Sequence, residues 1–198
     1  MNIRKKPIRV IATGLASLLA QTASAHTFGA EGAGLIEGLA HPFLGPDHLL
    51  VMIAVGLWAA QLGGRALWQV PLAFVGVMAA GAWSAGLGLG LSHVELMIAL
   101  SVLALGLMVA ASVRLPTAVS GLAVSVFALF HGYAHGQEMP QASVPLAYAM
   151  GFVTATVCLH LIGIGLGLTL SRMPRVAQIT GALIAMAGAY LLAGQGIA

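Results

Sequence analysis

The stretch SVPLAYAMGFVTATVCLHLIGIGLGLTL, residues 143–170, decides the fold: its 28 positions hold no Asp, Glu, Lys or Arg, and His160 is its one imidazole. About 20 apolar helical residues cross the hydrocarbon core of a bilayer, so this run is long enough to span one. Working outward, five more apolar runs lie at 48–62, 66–91, 94–112, 116–136 and 176–194. The whole chain agrees, with 60% hydrophobic and 7% charged residues among 198 and a mean hydropathy of +1.00. Such values lie outside the range of soluble domains. The expectation is an all-α integral membrane protein, a bundle of about six transmembrane helices, with no length left for a soluble domain.

The first 25 residues read as a cleaved signal peptide. Arg4, Lys5, Lys6 and Arg9 precede an apolar run from Val10 to Ala20, and Ala23-Ser24-Ala25 supplies the small-residue cleavage site. Residues 26–198 then form a single transmembrane domain that begins at His26. Cleavage removes four of the eight basic residues and none of the five acids, leaving one net negative charge. The precursor pI near 9.5 is therefore no argument for nucleic-acid binding. The lone Cys158 has no intrachain disulfide partner and reads as a small core side chain.

The remaining basic residues fall only in the first, third and fifth connections: Arg65, then Arg114, then Arg172 and Arg175. The positive-inside tendency puts these loops in the cytoplasm and the N-terminus outside, as a secretory signal also requires. The expected location is the bacterial inner membrane, multi-pass. Where the helices are short or broken, the breakers are explicit: a half-helix over Gly34–Ala40 is expected to precede the first run and end at Pro42, Gly45 and Pro46. Small residues four apart, such as Gly81 and Ala85, Gly163 and Gly167, or Gly181 and Ala185, permit close helix packing. They serve internal contacts or a homo-oligomer interface.

Two clusters carry the chemistry. The first, His41-Pro42-Phe43-Leu44-Gly45-Pro46-Asp47-His48, surrounds a helix break with two imidazoles and a carboxylate. That donor set suits nickel, zinc, cobalt or copper, although Asp47 at a helix start also serves as a cap for backbone N–H groups. The second, Phe130-His131-Gly132-Tyr133-Ala134-His135-Gly136-Gln137-Glu138, closes the fourth run. His131 and His135 are one helical turn apart, and a continuing helix puts Glu138 on the same face. Ionisable groups inside a membrane are costly, so three on one stripe point to metal ligation more than to packing. Glu95, which leads into an uncharged run, joins them as a ligand, and His93 beside it is a further candidate. So are His160, near mid-membrane, as a lower stepping site, and His26, whose α-amine and imidazole would chelate after cleavage with Glu31 and Glu37 close by.

HPFLGPDHLLVM (41–52) and FHGYAHGQE (130–138) resemble the two motifs of the HupE/UreJ family, membrane proteins encoded with hydrogenase and urease systems and regarded as nickel permeases or accessory proteins. The likeness extends over essentially all of the chain after the signal peptide. It implies nickel as cargo, and it implies that His41, Asp47, His48, His131, His135 and Glu138 bind it, with Glu95 matching an acid early in the third helix. Hydrogenase or urease maturation proteins are the implied partners, beside the lipid bilayer.

The expected activity is transport of Ni2+, with Co2+ as the alternative cargo, and no permanently bound cofactor. No Lys remains after cleavage, so a Walker A loop is excluded. Neutral imidazole is required for coordination, so uptake is expected to fall as pH drops through about 6.5. An enzyme is not expected. The rival readings are a nickel-binding accessory protein that does not transport, and a membrane zinc hydrolase, which needs an open coordination position beside a substrate cavity.

Overall fold

A computed structural model describes residues 30–140 and 144–195, with side chains from Gly34 onward; the expected signal peptide and His26 lie outside this range. Among the described residues every regular element is helical: α1 Ala30–Leu44, α2 Pro46–Leu62, α3 Ala66–Gly86, α4 Val94–Ala110, α5 Thr117–Gln137, α6 Pro145–Leu170 and α7 Pro174–Gly194. Helices α3, α5, α6 and α7 are long and apolar enough to cross a membrane. The α1–α2 pair passes the same test taken together, while α4 is a shorter apolar helix. Seven helices thus replace the six runs, because the expected half-helix is a full element in its own right.

The break between α1 and α2 is sharper and later than the sequence reading placed it. Pro42 lies inside α1, which continues to Leu44. Gly45 takes the extended conformation that a following proline imposes, at φ −94 and ψ 110, and Pro46 starts the next helix at a position whose N–H needs no partner. The two axes meet at 81°. Both halves nonetheless follow α6 in one direction, since a methyl at Gly38 would strike the Tyr148 carbonyl and one at Gly56 the His160 carbonyl. The bent pair therefore takes 18 residues where α6 takes 12. The surplus is the excursion that carries His41, Asp47 and His48.

Glycines set the remaining close contacts. Gly81 meets the Leu129 carbonyl and Gly132 the Met78 carbonyl, joining α3 to α5, while Gly106 and Gly181 join α4 to α7. Gly163 meets the Ile53 carbonyl, and Gly167 the Ala60 side chain and the Leu57 backbone, joining α2 to α6. The small-residue spacing thus serves packing within the chain. Cys158 is a correction: it is exposed on the outer face of α6, not in the core, because it lies about 200° around the helix from buried His160.

Helix alternation gives the bundle two chemically distinct ends. Trp58 Nε1 and Gln61 Nε2 donate to the Val113 and Val109 carbonyls at 2.9 and 3.0 Å, tying the end of α2 to that of α4. Arg65, Arg114, Arg172 and Arg175 stand in or beside the turns at this end. The α1–α2 break, the α3–α4 loop, the end of α5 and the start of α6 lie at the other.

Candidate functional site

Three elements deliver the site. The last turn of α1 supplies His41, the first turn of α2 supplies Asp47 and His48, and the last turns of α5 supply His131 and His135, with Glu138 immediately after them. The ring centroids of His135 lie 4.8 Å from those of both His41 and His48, and His48 stands 5.0 Å from His131. All six residues expected from the two motifs therefore come together at the break.

The cluster is layered. At the mouth, His41 Nε2 and Glu138 Oε2 are hydrogen-bonded at 2.8 Å, with Glu138 about half exposed at 47%. Its carboxyl is held below the usual glutamate range by that hydrogen bond, which outweighs the opposing effect of partial burial. Beneath it, His48, His131 and His135 are buried, at 5%, 0% and 0% exposure. The Asp47 carboxylate accepts both the His48 backbone N–H at 2.8 Å and His48 Nδ1 at 2.9 Å. It satisfies a helix-start donor and orients an imidazole at once, while Gly45 holds the formal cap position.

The hydrogen bonds also assign the tautomers. His131 Nδ1 faces the Phe127 carbonyl at 3.0 Å, and a carbonyl only accepts, so Nδ1 carries the proton and Nε2 a free lone pair. The same logic applies to His48 through Asp47. The Nε2 atoms of His48 and His131 and both ring nitrogens of His135 are buried without hydrogen-bond partners. Leaving buried polar atoms unpaired is costly, and an imidazole lone pair oriented through its other nitrogen is the form that ligates metals. Among the described residues, however, no three His, Cys, Asp or Glu side chains are already arranged to hold an ion. The two carboxylates are engaged with His41 and His48, so ligation by either would require exchange with those contacts.

The other expected residues stand apart. His93 and Glu95 are exposed at the start of α4, where they border a cleft of about 560 Å³ with Leu192 of α7 and Gln195 just past its end. His93 has a left-handed backbone at φ 60. Glu95 is within electrostatic reach of Glu138 and Asp47 but outside the ring-to-ring cluster. His160 is buried deeper in α6. The sequence reading missed the aromatic walls: His135 stacks on Phe152 at 4.8 Å and 7°, His41 meets Tyr148 edge-on at 6.0 Å, and Phe74 touches both His131 and His160. One signal was available, since Tyr148, Phe152, Thr156 and His160 recur every four residues along α6.

Fold and site together define a helical membrane protein with a histidine and carboxylate cluster walled into one end of its bundle, where a broken helix pair meets α5 and α6. The chain belongs to the HupE/UreJ family, whose model, described as HupE / UreJ protein, matches residues 14–191. It is also similar to Protein HupE of Rhizobium leguminosarum bv. viciae, with 49% identity over 187 residues covering 93% of this chain and 97% of that protein. No solved structure matches it.

Proposed function

We propose that this protein is a permease that carries Ni2+, with Co2+ as the alternative cargo, across the inner membrane into the cytoplasm for hydrogenase or urease maturation. One observation carries the reading: three buried imidazoles with unpartnered nitrogens lie directly beneath the His41–Glu138 pair. Imidazole with carboxylate suits both metals. Family membership supports nickel as the cargo.

In this reading residues 1–25 are removed as a signal peptide. The bent α1–α2 pair and α3–α7 make six crossings, and the histidine end faces outward. A hydrated cation is drawn to the acids at the mouth and displaces the His41–Glu138 contact. It then exchanges waters for imidazole nitrogens. A dication falling through an inside-negative potential of about 100 mV gains ~4.6 kcal/mol, which supports roughly a 2,000-fold gradient. Facilitated diffusion therefore suffices, with cytoplasmic nickel-binding proteins as the sink.

The test is uptake of radioactive nickel into proteoliposomes held inside-negative, with cobalt and zinc as competitors. Uptake that nickel and cobalt inhibit and that falls on acidification supports the permease. Intact binding without uptake identifies an accessory protein instead.

A further inference from the structure

We propose that His160 is an inner station on the cargo's route, a second and weaker metal site that receives the ion from the imidazole cluster; this rests on the permease reading above. His160 lies 15 residues from the start of α6 and 10 from its end, roughly 22 and 15 Å along the axis. It is 2% exposed, and neither ring nitrogen has a hydrogen-bond partner. A histidine kept for packing would be hydrogen-bonded, because an unpaired imidazole in an apolar interior is worse than a hydrocarbon of similar size.

Geometry connects this residue to the cluster. The α6 stripe that stacks Phe152 on His135 continues through Thr156 to His160, each one turn below the last. Thr156 is fully buried, and its hydroxyl faces Met78 Sδ at 3.7 Å, so an oxygen and a thioether occupy the level between the two imidazole layers. The Phe74 ring bridges the same gap, 5.8 Å from His131 and 5.3 Å from His160 by centroid. Below, His160 borders a cleft of about 240 Å³ between α3 and α6, lined by Leu67, Pro71, Val75, Leu161 and Ile164. Apolar side chains offer a cation nothing, so His160 is the deepest donor on this face. One imidazole with a hydroxyl and a thioether binds a divalent ion more weakly than the cluster above, as onward release requires.

His160→Leu tests the assignment in the full-length protein, with nickel binding measured in nanodiscs, uptake in proteoliposomes and unfolding by heat. The expected result is an unchanged or higher Tm, nickel binding at the upper cluster within about twofold, and an initial uptake rate lower by about tenfold or more. Uptake at the wild-type rate overturns the proposal. So does a slower rate accompanied by lower Tm or weaker binding, since His160 would then serve the fold. His135→Leu is the control expected to lose binding itself. Absence of uptake by the wild-type protein overturns the permease reading and the relay with it, whereas wild-type uptake unaltered by His160→Leu overturns the relay alone.

Discussion

Glu138 lies one residue past the end of α5 and is the most exposed member of the cluster, yet its 2.8 Å bond to His41 Nε2 lowers its pKa. A lowered carboxyl pKa means that the folded chain binds this proton less readily than the unfolded one. The contact therefore contributes stability above the ordinary glutamate range, near 4.3, and loses it as pH falls through the lowered value. His41→Gln should move the Glu138 titration upward, measured by carbon-13 NMR of the carboxyl in micelles. An unmoved midpoint would show that the pair does not hold in solution. His135 poses the complementary case, since both of its ring nitrogens are buried without a partner. His135→Leu should weaken nickel binding by at least about tenfold, or 1.4 kcal/mol, without lowering Tm. A marked fall in Tm would reveal a structural role that these contacts do not contain.

At the scale of the element, the close helix pairs depend on glycines whose neighbours leave no space. Gly132→Ala drives its methyl into the Met78 carbonyl, and forcing α3 from α5 should cost about 1–3 kcal/mol. Gly76 in the interior of α3 has nothing within reach of a methyl, so Gly76→Ala should instead stabilise by about 0.5–1 kcal/mol. Thermal unfolding of both variants in one detergent checks the contrast, and equal shifts would refute it. These elements also show what was legible beforehand. The six apolar runs stood out because charge is absent from them, and the ligand clusters because His, Asp and Glu are conspicuous beside such runs. Helix α1 was only half visible, because Glu31, Glu37 and Pro42 dilute its apolar character. The facing of each helix was not legible at all where both lipid and core are apolar. Hence Cys158 was placed inward, and the aromatic walls at Phe74, Tyr148 and Phe152 went unseen. Glu95 stands out in the sequence for lack of a nearby cation, and in the fold its helix starts outside the circle of imidazoles but within electrostatic reach of Asp47 and Glu138.

Across the whole molecule, charge is separated along the bundle axis. Asp47, Glu95 and Glu138 lie toward the end with the helix break, and Arg65, Arg114, Arg172 and Arg175 lie at or near the opposite turns. Such a dipolar arrangement attracts cations to one mouth, and the proposed orientation, which follows the positive-inside tendency, turns the arginine end toward the cytoplasm. Orientation is separable from transport by chemical labelling, because Cys158 is the chain's one cysteine. In a Cys158→Ala background, Ser92→Cys reports the α3–α4 loop and Ser171→Cys the α6–α7 turn, both exposed positions. A membrane-impermeant maleimide applied to intact spheroplasts should label the first variant and reach the second only after lysis. The reverse pattern would direct the imidazole mouth to the cytoplasm, where the membrane potential opposes loss of a captured dication instead of driving its entry. Uptake from outside would then need another energy source, and the facilitated-diffusion mechanism would fail even if every ligand were correct.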